Sequence, residues 1–76
     1  MRVKRPYVVL SFRATVEAMA FEQRSAALGV PGRLIPLPRE ISAGCGLAWR
    51  MLPEEWQLWQ PRLAAETFDA ANTVMQ

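Results

Sequence analysis

Residues 31–51 read PGRLIPLPREISAGCGLAWRM, two short extended runs on either side of a loop rich in proline, glycine and serine. Arg33-Leu34-Ile35 follows the Pro31-Gly32 turn signal, so Gly32 to Pro36 reads as a strand. Past the loop, Cys45, Leu47, Trp49 and Met51 alternate with Gly46, Ala48 and Arg50, and a two-residue period belongs to a strand from Cys45 to Met51. A helix starting near Ser42 would also accommodate Leu47, Ala48 and Met51, but the alternation favours the strand. The connecting loop runs from Leu37 to Gly44.

Working outward, Tyr7 to Phe12 is an apolar run of β-formers and predicts a buried first strand. Thr15 suits the cap of a helix reaching about Leu28, with its hydroxyl directed at the N–H near Ala18. Val16, Met19, Ala20, Ala27 and Leu28 fall near one face of that helix, and Gly29 can end it with positive φ. Downstream, Pro53 suits a first helical turn, and Glu54 and Glu55 sit well at the positive end of the helix dipole. Trp56, Trp59 and Leu63 then form an apolar stripe, and Pro61 should kink or split the helix. From Glu66 to Gln76 two readings stay open: Phe68 and Val74-Met75 suit a strand, Ala70 and Ala71 a helix. The order strand, helix, strand, strand, helix and an unsettled last strand predicts an α+β, ferredoxin-like two-layer sandwich, β-α-β-β-α with a fourth strand in question.

At 76 residues the chain has room for one domain, residues 1–76, with a small core. It is 51% hydrophobic and 21% charged, a composition that folds, and domains of this size and apolarity often self-associate, so a homodimer is expected. Its net charge is +2, with Arg2, Lys4 and Arg5 near the N-terminus and Arg33, Arg39 and Arg50 in the middle. This spacing suggests an anionic ligand or partner rather than a nucleic-acid groove, and the stacking aromatics of an RNA-binding strand are absent. No 18-residue apolar run is present, and the run after the basic N-terminus is too short for a signal peptide and lacks a small-residue cleavage site. One cysteine allows no internal disulfide, which points to the reducing cytoplasm. With no histidine, His-based acid–base catalysis and His-containing zinc sites are excluded, and neither metal nor cofactor is expected.

Cys45 is therefore the one candidate for covalent chemistry. It lies between Gly44 and Gly46, with Ser42 three residues earlier and Arg39 and Arg50 close in sequence. The thiolate is the nucleophile, and guanidinium groups or backbone N–H donors nearby favour it. Two flanking glycines leave the sulfur open to a second protein. Against this stands the ordinary role of a free cysteine as a small buried hydrophobe, of Arg39 and Arg50 as solvated or paired with Glu40, Glu54 or Glu55, and of Ser42 as a turn former. The tryptophans read as core or dimer contacts.

The stretch Arg33-Leu34-Ile35-Pro36, then Pro38-Arg39-Glu40-Ile41-Ser42, then Cys45-Gly46-Leu47-Ala48 with Arg50, resembles the family of small selenium/sulfur carrier-like proteins. The preceding helix end, Ala26-Ala27-Leu28-Gly29-Val30-Pro31, resembles it too, so the likeness spans Tyr7 to Glu55. After Trp56 the chain departs from the even helix and closing strand expected of the family. The resemblance implies that Cys45 holds a persulfide or perselenide, that Arg39 and Arg50 stabilise the anion, and that Ser42 or the N–H groups around Gly46 donate hydrogen bonds to it. It implies donor and acceptor proteins as partners, and a stoichiometric carrier more than a turnover enzyme. The competing expectation is a non-catalytic interaction or regulatory module in which Cys45 only packs.

Overall fold

The apolar run after Pro6 forms the strand on which the molecule is built, β1 (Pro6–Ser11), and helix α1 (Thr15–Leu28) follows it. Two further strands, β2 (Arg33–Pro36) and β3 (Leu47–Met51), lead to helix α2 (Pro53–Leu63) and a last strand β4 (Ala70–Met75). The computed structural model describes residues 3–76; Met1 and Arg2, the latter part of the N-terminal basic cluster, lie outside the described residues. The strands form one antiparallel sheet in the order β2-β3-β1-β4. β3 is thus inserted between β1 and β2, and α1 crosses over it to connect them. Among the described residues no helix is long and apolar enough to cross a membrane.

Period-two alternation sorts the strand residues onto two faces. Val8, Leu10 and Phe12 join Trp49 and Met51 on the face that carries both helices, packed with Ala18 and Phe21 of α1 and Leu63 of α2. Phe21 fills the centre, its ring 5.4 Å from Phe12 and 5.3 Å from Trp49, the latter edge-on. Val9, Ile35, Ala48 and Val74 point the other way and are covered by Leu37 and Ile41 of the long loop. The helices and the Leu37–Gly44 loop therefore bury opposite faces of one sheet.

Several expectations are corrected. Strand β3 starts at Leu47, two residues after Cys45, although the predicted alternation holds: Leu47, Trp49 and Met51 pack on the helix side. Helix α1 buries Ala18, Phe21 and Ser25, while Val16 and Met19 are 71% and 53% exposed and Leu28 is also exposed. One large aromatic chooses the buried face, because a ring removes more area from water than scattered Val, Met and Ala side chains. Thr15 is the first helical residue, the N-cap is Ala14, and no side chain caps the helix. Pro61 does not split α2, which runs on to Leu63; proline sits in the last turn, where little helix remains to disrupt. The start of α2 is as expected, with Pro53 at its first position and Glu55 accepting the Leu52 N–H at 2.8 Å. The fourth strand forms, with Ala70 and Ala71 in it, because pairing to β1 from Pro6 through Ser11 outweighs their helix propensity.

Gly32 has φ +116, and a Cβ there would stand 2.4 Å from the Arg50 carbonyl oxygen and 2.5 Å from Trp49 Nε1. The missing side chain lets the β2 entry close over the Trp49 indole, whose N–H donates to the Pro31 carbonyl at 3.1 Å.

The buried face of α1 is testable by urea unfolding. Phe21→Ala should cost about 3–5 kcal/mol, and Met19→Ala should stay within about 0.5 kcal/mol of the parent. Comparable losses would mean that the helix is rotated from the position described.

Candidate functional site

The site is built where β1 stops. In the β1–β3 register Leu10 faces Trp49 and Ser11 faces Ala48, so continued pairing would set Leu47 opposite Phe12. The ladder breaks there instead. The Phe12 carbonyl accepts the Cys45 N–H at 3.2 Å, two residues out of step, and Leu47 donates its N–H to Cys45 Sγ at 3.3 Å. A backbone N–H near a core needs an acceptor, and here the sulfur supplies it. The Cys45 thiol also lies 3.6 Å from Thr15 Oγ1, donating to it. Thr15 opens α1, so its hydroxyl engages the sulfur rather than capping the helix, and the sulfur sits beside the first turn of α1.

Cys45 is 3% exposed and belongs to the helix-side core. Its neighbours Gly44 and Gly46 are exposed, as is Thr15. Gly44 is pressed on the chain end of β1, because a Cβ there would be 2.4 Å from the Arg13 carbonyl oxygen, whereas Gly46 faces open space. The loop thus runs against β1 at Gly44 and has clearance on the outer side at Gly46. Exposed Val16 and Met19 follow Thr15 on α1.

The other expected residues are not gathered around the sulfur. Arg39 is exposed in the loop and makes no ion pair among the described residues. Ser42 is exposed and lines a hollow with Glu40, Ile41, Asn72 and Thr73, on the β4 side. Arg50 is cross-strand from Val9, on the face away from the helices, where its guanidinium lies 4.3 Å from the Tyr7 ring centroid and donates to Gln76 Oε1 at 3.1 Å. Strand alternation, which put Cys45 and Trp49 on one face, put Arg50 on the other. The hydrogen-bond partners of the sulfur are Thr15 and Leu47, both missed in sequence. Topology held a signal for Thr15: once β3 lies antiparallel to β1, the residues entering β3 must pass the start of α1. Among the described residues no group of three His, Cys, Asp or Glu side chains could hold a metal ion.

No curated protein and no solved structure matches the chain. A family model does match, described as "Putative Se/S carrier protein-like", over residues 7–72. The match takes in β1, the cysteine loop, all of α2 and the first residues of β4, and so extends past Trp56, where the sequence departs from the expected pattern. Spanning all but the two ends of these 76 residues, it establishes that the chain belongs to the Se/S carrier-like family.

Proposed function

We propose that the protein carries sulfur or selenium on Cys45 and passes it to an acceptor protein. The observation that supports this most directly is the pair of contacts at Sγ, the Leu47 N–H at 3.3 Å and the Thr15 hydroxyl at 3.6 Å. The Leu47 N–H can donate to a sulfur anion as well as to a neutral thiol, and the Thr15 hydroxyl, which accepts from the thiol here, can rotate to donate once the sulfur is an anion. In the loading step the Cys45 thiolate attacks the terminal sulfur of a donor persulfide. A new S–S bond forms on Cys45, the donor's S–S bond breaks, and the donor cysteine leaves as thiolate with that electron pair. One sulfane sulfur moves with no net oxidation, and delivery is the same exchange onto the acceptor. Selenium follows the same balance.

Donor and acceptor would dock beside the start of α1, where Thr15, Val16 and Met19 are exposed and Thr15 touches the cysteine sulfur. The sheet order supports the ferredoxin-like assignment, a fold with room for such docking on its helices. A free thiol in this role belongs in a reducing compartment, the cytoplasm. Arg39, and Ser42 with the N–H groups around Gly44 and Gly46, would approach the loaded sulfur on movement of the loop; Arg50, on the far face, is left out of this role.

Two outcomes are expected. A protein persulfide donor should load one sulfane sulfur per chain, read as a 32 Da gain on the intact protein that a reductant removes. Cys45→Ser should abolish the gain, and a native chain that takes up none while the unfolded chain does would sink the carrier reading. The second outcome concerns stability. Cys45→Ala leaves the Leu47 N–H without its acceptor and should cost about 1–3 kcal/mol in urea unfolding, whereas Cys45→Ser keeps an acceptor in place and should cost less. The serine variant is therefore the folded control for transfer assays.

A further inference from the structure

On the face of the sheet away from the helices, and about 10 Å along β1 from the cysteine, the geometry points to a second site, one that binds a phosphate-type dianion between Arg33 and Arg50. These two arginines are direct cross-strand partners on β2 and β3. Like charges directly opposite one another on a sheet repel and destabilise it, unless something negative lies between them. Neither arginine makes an ion pair among the described residues: the ion pairs there are Arg13 with Asp69 and Arg24 with Glu66, both elsewhere. Glu55 lines the adjoining hollow with Tyr7, Arg33 and Arg50; it accepts the Leu52 N–H at 2.8 Å and forms no ion pair with either arginine.

The two guanidinium groups are also placed for a ligand. Arg50 is half-buried and held in position from two sides, by the Tyr7 ring at 4.3 Å and by Gln76 Oε1 at 3.1 Å from one of its nitrogens. A guanidinium fixed by one contact keeps its other N–H groups aimed outward, at little entropy cost when an oxyanion arrives. Arg33 is exposed across from it, and Lys4 lies on the same rim. Together with Val3, Tyr7 and Gln76 they line an open cleft of about 630 Å³. Three cations that line one cleft and make no ion pair among the described residues suit a doubly charged oxyanion better than a single carboxylate. The phosphate could be free or part of a small organic ester.

The test is a titration of the full chain with inorganic phosphate at fixed ionic strength, followed by the arginine Nε–H and Tyr7 ring NMR signals, with acetate as the monoanion comparison. Phosphate should move the Arg33, Arg50 and Tyr7 signals saturably, and acetate should not. Arg33→Gln and Arg50→Gln should each weaken binding about tenfold, the loss of one charge-assisted hydrogen bond, while Arg39→Gln leaves it unchanged. Phosphate should also raise the Tm of the parent more than that of Arg33→Gln. Arg33 is exposed, so this variant keeps the test valid if Arg50→Gln fails to fold. Tighter binding of glycerol 3-phosphate than of inorganic phosphate would identify an organic ester as the source, and equal binding the free ion. Linear, unsaturated shifts, or a loss in Arg39→Gln as large as in Arg33→Gln, would overturn the proposal.

Discussion

From Val8 to Ser11 strand β1 is paired along both edges and covered on both faces, so none of the backbone groups there can turn to water. That constraint reaches beyond the strand. Where β1 gives way to the turn before α1, the Phe12 carbonyl still needs a donor, and the Cys45 N–H is drawn in to provide it. This displaces Leu47 from the partner it would have had in register, and its N–H falls to the cysteine sulfur. The position of the one cysteine sulfur is thus a by-product of ending a central strand. The Leu37–Gly44 loop is held by the same arrangement, since Leu37 and Ile41 pack on Val9 and its neighbours while the far end of the loop lies against Arg13.

How much of this was legible depends on the range of the interaction that decides each feature. Short-range signals carried well: the β1 apolar run, the Pro31-Gly32 turn, the alternation through Trp49 and Met51, and the Pro53 helix start all stand where local chemistry put them. Features set by competition across the chain did not. Helix α1 has apolar residues on more than one side, and only the space between Phe12 and Trp49 decides that Phe21 is inside and Met19 outside. Ala70 and Ala71 are poor strand formers by themselves, and the open edge of β1 makes them strand. At the candidate site the cysteine was legible and its surroundings were not. Arg50 is five residues from Cys45 in sequence, which in a strand is an odd number and so the opposite face, while Thr15 is thirty residues away and in contact.

The odd spacing separates the chemistry of the molecule into two places. On the helix side, at the end of β1, lies a sulfur with neutral partners, a backbone N–H that donates to it and a hydroxyl that accepts from it. On the other face, toward the start of β1, lie the unpaired cations. A fold of this size has two layers, and its one sheet is thick enough to keep the two sets of side chains from meeting. Whatever anion the arginines take, they do not act directly on the cysteine, and the electrostatics of the sulfur must be understood from α1 and the loop alone.

The burial of Cys45 bears on a carrier in two opposite ways. An acceptor thiol must reach the sulfur to exchange with it, yet a sulfane sulfur left open to solvent would be lost to the first small thiol it met. Movement of the chain around Cys45 on docking satisfies both demands, and the segment that leads into the cysteine is suited to moving. Among the described residues, Ser42, Ala43 and Gly44 make no backbone–backbone hydrogen bonds, so lifting them breaks none. The anchors on either side are firm, with Ile41 packed on the sheet and Cys45 bonded to Phe12. Segments with few backbone hydrogen bonds open at low free-energy cost while the rest of the fold stays closed. Gly46, with open space where a side chain would be, leaves room for the approach, and Gly44 admits the return of the chain against Arg13 that no larger residue would permit. The two glycines therefore differ in role, close packing at Gly44 and clearance at Gly46, which is a physical reason for the cysteine to stand between them.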